Sequence, residues 1–134
     1  MRIDVQTGGT TTDGDINRAS AATVVAATYS NSFAGTTATI LHDLDAASDV
    51  LTAQTPPNDG TLADIGSLGV DLVGATAFDI AGGSNGLALA AVPSGMAGPS
   101  TLYGVSLTTG AMNLYRNTTG SPAASRSAVP VGLV

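Results

Sequence analysis

Two stretches of the chain, 61 residues apart at Leu41 and Leu102 (102 − 41), spell the same strand–turn–strand unit. Thr39-Ile40-Leu41-His42-Asp43-Leu44-Asp45 reads against Thr101-Leu102-Tyr103-Gly104-Val105-Ser106, and each runs into a turn and a second apolar strand. A partial third copy opens the chain, Ile3-Asp4-Val5-Gln6-Thr7-Gly8 against Val105-Ser106-Leu107-Thr108-Thr109-Gly110. Repeated units of this kind predict an all-β chain of about two antiparallel, four-stranded, blade-like units, β-propeller-like in architecture. Two blades are too few to close a ring, since closed propellers use about 4–8. Open sheets leave unpaired strand edges, which invite another chain.

The composition agrees with strands. Every acid is Asp and every base is Arg, so Glu and Lys, strong formers of exposed helix, are absent. Thr, Ser, Gly and Val are plentiful, and aromatics are only 4% of the 134 residues, so the core must be built from small side chains. The net charge of −6 and four scattered arginines, Arg2, Arg18, Arg116 and Arg126, argue against nucleic acid as a partner. No apolar run approaches the ~18 residues of a membrane span. The absence of cysteine removes disulfides, zinc–thiolate centres and cysteine nucleophiles. Met1-Arg2-Ile3-Asp4-Val5 lacks the apolar stretch of a signal peptide, yet the Thr/Ser/Gly-rich, Lys-free, Cys-free composition favours an extracellular or periplasmic protein over a cytoplasmic one.

Along the chain, residues 1–20 read as a partial unit, with a hairpin turn at Asp13-Gly14. Residues 21–66 form a first unit, with strands over Ala22–Tyr29, Ala38–Asp45, Val50–Gln54 and an edge-like Leu62–Gly66. Thr55-Pro56-Pro57-Asn58-Asp59-Gly60 is the clearest loop. Residues 67–117 form a second unit, with strands over Ala75–Ile80, Leu87–Val92, Thr101–Leu107 and Ala111–Arg116, and a glycine-rich turn at Gly82–Gly86. Residues 118–134 form a tail whose Val129–Val134 reads as an edge strand interrupted by Pro130. The 61-residue spacing exceeds the ~40–50 of common propeller repeats, and the excess is expected in the Thr55–Gly60 loop and after it.

The stretches described resemble one family. Thr39–Asp45, Leu51 to Leu62, Gly66-Ser67-Leu68-Gly69-Val70-Asp71, Phe78-Asp79-Ile80 and Leu102-Tyr103 with Leu107–Ala111 look like the bacterial "domain of unknown function 4394", in its later half. Ser121 to Val129 departs from the pattern expected after Tyr115. The resemblance implies an exported, propeller-like protein and brings no catalytic residues.

Candidate sites are few. Asp13-Gly14-Asp15 and Asn58-Asp59-Gly60 carry oxygen ligands suited to Ca²⁺, but these residues also make ordinary turns, and an EF-hand loop ends on a Glu that this chain lacks. His42, Asp43, Asp45 and Asp49 are the densest acidic cluster. Alternation puts Asp43 and Asp45 on one strand face and His42 on the other. The pair reads either as a metal or acid–base site or as the solvated face of a half-buried strand; the second is the expectation. His42 stands where Tyr103 stands in the second unit, which points to packing. Gly82-Gly83-Ser84-Asn85-Gly86 has the letters Gly-x-Ser-x-Gly but reads as a β-turn, without the strand-to-helix setting of a nucleophile elbow or the Lys of a phosphate loop, and Asn117-Thr118-Thr119 matches a glycosylation sequon. Tyr29, Tyr103 and Tyr115 are candidates for an interaction surface or for packing between units.

These readings lead to a non-catalytic structural or accessory subunit without a cofactor, joined to protein partners as a homo-oligomer or in a larger complex. The alternatives are an extracellular carbohydrate- or calcium-binding module, a hydrolase working at Asp43 and Asp45, and a fragment of a longer secreted propeller protein.

Overall fold

A computed structural model describes residues 1–82, 86–95 and 98–115. The chain is all-β, with no α-helix among the described residues. Strands β1 (Arg2–Ile3) and β2 (Thr10–Thr11) form a small hairpin. Strands β3 (Val24–Tyr29), β4 (Leu41–Asp45), β5 (Val50–Gln54) and β6 (Leu62–Ser67) form a first antiparallel meander. Strands β7 (Ala77–Ile80), β8 (Ala88–Pro93), β9 (Ser100–Val105) and β10 (Met112–Leu114) form a second. None of the three sheets is closed. One 3₁₀ turn, Pro57–Asp59, lies in the Thr55–Gly60 loop.

Strand ends differ from the expectation where side chains take over the backbone's hydrogen bonds. The Thr23 N–H donates to Asp45 Oδ1, so β3 starts at Val24 rather than at Ala22. The Ala38 carbonyl accepts from Asn31 Nδ2 and Thr36 Oγ1, and the Ile40 N–H donates to Ser30 Oγ, so β4 starts only at Leu41. The Val129–Val134 strand and the Asn117 sequon lie outside the described residues, as does part of the Gly82–Gly86 turn.

The sequence repeat is a repeat of turns. Asp4 Oδ1 accepts from the Gln6 and Thr7 N–H groups, Asp45 Oδ1 from Ala47, and Ser106 Oγ from Thr109. Each turn then reaches a left-handed residue four positions on: Gly8 at φ 72, Asp49 at φ 51 and Gly110 at φ 81. A short polar side chain caps the turn and a residue tolerant of positive φ reverses the chain. The two complete copies nonetheless fall at different places. Asp45–Val50 joins the second and third strands of the first sheet, whereas Ser106–Ala111 joins the third and fourth of the second. Counted in strand order, the sheets recur at about 50 residues: 53 from Val24 to Ala77 (77 − 24), 47 from Leu41 to Ala88 (88 − 41), and 50 from Val50 to Ser100 (100 − 50) and from Leu62 to Met112 (112 − 62). The 61-residue spacing is therefore one strand out of step, and it needs no excess loop.

One cluster of small and medium apolar residues joins the meanders. Leu44 and Leu51 of the first sheet pack with Ile80, Ala88, Ala90, Val92, Val105 and Met112 of the second, and the connecting segment adds Leu68 and Leu72. Burial at about 25 cal/mol per Å² makes this the main stabilising term. Edge strands β3 and β7 lie against each other. At another junction the Met112 N–H donates to the Leu68 carbonyl at 2.9 Å. There the backbones of β6 and the last turn touch: a Cβ on Gly66 would stand 2.2 Å from the Thr109 carbonyl oxygen.

Candidate functional site

The acidic cluster forms on the face of the first sheet that points away from the second. Asp43 and Asp45 share that face by alternation, and His42 shares the core face with Leu44. The expectation of a solvated acidic face is overturned: Asp43 is 1% exposed and Asp45 0%. The segment between β2 and β3 runs to this face as a strap, tied to it through Arg18 and Thr23, while Ala27 and Asp64 there stay exposed.

Arg18 is the residue of that strap which makes burial tolerable. Its guanidinium pairs with Asp45 Oδ2 through Nη1 and with Asp64 Oδ2 through Nη2 at 2.6 Å, and Nη1 also donates to Ser48 Oγ at 2.8 Å. Asp45 further accepts from the Thr23 N–H at 2.6 Å and the Ala47 N–H at 3.1 Å. Burial raises the Asp45 carboxyl, but the hydrogen bonds from Ser48, Thr23 and Ala47 and the Arg18 charge outweigh it and hold it below the usual carboxylate range. Buried charge survives when it is paired and fully bonded, and Asp45 meets both conditions.

Asp43 meets neither. Its register neighbours are Ala27 on β3 and Thr52 on β5, and the Thr52 hydroxyl faces the Asp43 backbone carbonyl rather than its carboxylate. Oδ2 has no partner, and burial pushes the carboxyl up to about 6. His42 is buried as well, with Nδ1 unpartnered; desolvation lowers its pKa against a hydrogen bond with the Ile40 backbone. With Arg18 already engaged by two carboxylates, the cluster presents no free cation and works as a structural tie between strap and sheet.

The two loops suggested for Ca²⁺ meet each other. Gly14 N–H donates to the Asn58 carbonyl, Asn17 N–H to Gly60, and Leu62 N–H back to Asn17. Asn17 Nδ2 takes the carbonyls of both Asp15 and Asp59, and Asn17 bridges Thr61 as a parallel pair. Asp13 is engaged by Arg2 at 2.7 Å. Asp13-Gly14 is thus a docking point and not the expected hairpin turn, which lies at Asp4–Gly9 instead. Among the described residues no three His, Cys, Asp or Glu side chains converge as a metal site. Asn17 and Arg18, the residues that organise both regions, stood out in the sequence only as polar loop; Arg18, as an isolated base facing scattered Asp, was the one available signal.

The three tyrosines do not share a surface. Tyr103 pairs with Ala90 and packs on the core, Tyr115 lies beside Gly104 on the opposite face, and Tyr29 stands at the end of β3, 43% exposed. That opposite face of the second sheet carries Ala77, Leu89, Ala91 and Leu102 together with Asp79 and Asn113, and Leu102 is 41% exposed. No strap crosses it among the described residues.

No curated protein and no solved structure matches the chain. A family model does match, over residues 1–125, and the chain belongs to that family, the domain of unknown function DUF4394.

Proposed function

We propose that this chain is a non-catalytic structural module that packs the outer face of its second sheet against a further antiparallel sheet, in a propeller-like series outside the cytoplasm. One contrast carries the reading. Arg18 of the strap ties down the outer face of the first sheet at Asp45 and Asp64, whereas the outer face of the second, with half-buried Leu89 and Ala91, exposed Ala77 and Leu102 and the single carboxylate of Asp79, has no such tie among the described residues. The alanines and leucines there are the same small apolar types that join the two sheets at Ala88, Ala90 and Val92, so the occupant that fits is another sheet of this kind, in a second copy or another protein. The recurrence of strands at about 50 residues supports the propeller-like series. The Thr/Ser/Gly-rich, Lys- and Cys-free composition supports the extracytoplasmic setting.

Native mass spectrometry of the protein taken gently from its source cells, with sedimentation of the purified chain, tests the reading. Association is expected, and Ala91→Asp, which places a charge in the middle of the face, should abolish it while leaving the far-ultraviolet circular dichroism unchanged. A compact monomer at every concentration, with its edge-strand amides all resistant to hydrogen exchange, would sink it.

A further inference from the structure

The connection between β3 and β4 is long for a hairpin and heavily braced. Asn31, at φ 55, sends Nδ2 to the Ala38 carbonyl, Thr36 Oγ1 goes to the same carbonyl, and Ser30 N–H donates to Ile40. The Phe33 N–H donates to the Asn31 carbonyl and the Thr36 N–H to Phe33, at 2.9 and 3.3 Å. This bracing fixes Phe33 in a position 48% exposed, beside Tyr29 at 43%. Both rings line one cleft of about 510 Å³ with Ser32, Thr36, Thr39 and Pro57. The chain has only five aromatic residues, and burying any of them would strengthen a core built on Ala, Val and Leu. Three of the five stand half exposed instead, Tyr115 on the second sheet and this pair together, Tyr29 at the end of β3 and Phe33 on the braced loop.

We propose that this cleft binds a neutral oligosaccharide. Aromatic faces stack on the apolar C–H faces of sugar rings, the hydroxyls of Ser32 and Thr39 offer both donors and acceptors to sugar hydroxyls, and Thr36 Oγ1, whose proton goes to the Ala38 carbonyl, offers an acceptor. No charged side chain lines the cleft, so it carries nothing for a phosphate, a carboxylate or an ammonium group to pair with. Tyr29 and Pro57 also line a second cavity of about 400 Å³, which adds Gln54 and Asn58 together with the charged Arg2, Asp13 and Asp15, of which Arg2 and Asp13 are paired with each other. A ligand seated on the two rings can therefore extend past them, so a chain of several sugars should bind better than a single ring. The inference is independent of the module's assembly, because none of its residues lies on the outer face of the second sheet.

Calorimetry and tyrosine fluorescence of the full chain, titrated with linear hexasaccharides of glucose, xylose, mannose and N-acetylglucosamine, test it. At least one should bind, more tightly than its monosaccharide, and Phe33→Ala and Tyr29→Ala should each weaken it by about tenfold or more. Both side chains are half exposed, so the variants are expected to keep the wild-type melting temperature. Tyr29→Phe should retain most of the binding, since it keeps the ring. Absence of binding by all four sugars, binding indifferent to Phe33→Ala, or preference for a proline-rich peptide over every sugar overturns the proposal.

Discussion

The two meanders have the same four-stranded antiparallel order, yet they solve opposite problems on their outer faces. The first sheet places two carboxylates there, both buried, and holds one of them, Asp45, with Arg18 from its own chain. The second places Ala, Leu and Gly there with one carboxylate, Asp79, and no strap lies on them among the described residues. Two carboxylates became interior, and a mainly apolar face stayed outside. Alternation along a strand tells which residues share a face; it does not tell what covers that face.

That contrast can be broken most severely at Asp45. Asp45→Ala strips acceptors from Arg18, Ser48, Thr23 and Ala47 at once, and should cost about 4 kcal/mol at neutral pH in a chemical denaturation experiment. Because the Asp45 carboxyl is lowered in the fold, its contribution is present above its ordinary value of 3.8 and is lost as the pH falls through the lower folded value. Wild type and variant should therefore converge in acid.

Next in size is the joint between strap and loop. Gly60 sits at φ 71, and a Cβ there would stand 2.1 Å from the Asp15 carbonyl oxygen. Gly60→Ala should cost about 3 kcal/mol and speed hydrogen exchange at the Gly14 and Asn17 amides, with β7–β10 little affected.

Asp43 sharpens the comparison from the other side. In the folded chain its carboxyl titrates near 6, against 3.8 as its ordinary value, so the unfolded state gives up its proton first as the pH rises. The destabilisation grows between those two values and is complete above 6. Asp43→Asn should therefore be more stable than wild type at pH 8, by about 1–2 kcal/mol after solvent screening, and equal to it below the lower value. Greater stability of the wild type at pH 8 would mean that Asp43 has a partner in solution. The smallest effect belongs to the open face. Leu102→Asp should change the stability of the monomer by no more than about 0.5 kcal/mol, while removing self-association.

Much of the fold was legible because strands announce themselves through β-branched runs and turn residues. β5 was read to the residue, and both four-stranded sheets follow from alternating segments separated by Gly, Pro and Asp. The turn repeat was legible for the same reason, since Asp or Ser followed by a left-handed Gly or Asp is a local signal. The strap was not. Thr10 to Asn17 carries no periodicity, and its structure comes from partners such as Asp64 and Asp59, which lie 46 and 42 positions from Arg18 and Asn17. The burial of Asp43 and Asp45 depends on that strap, so it was hidden with it. Phe33 was equally silent, because its exposure follows from hydrogen bonds between a loop's polar side chains and its own backbone.

The distant partners of Arg18 also set an order of events as the chain folds. The β4–β5 hairpin closes over a four-residue turn, and its pairing needs nothing from the first twenty residues. The Arg18–Asp64 contact has to close a loop of 46 positions and gains nothing until Asp64 is already fixed on β6. The segment that precedes β3 thus settles late, and until it does Asp45 lacks its cation and the first sheet keeps its outer face wet.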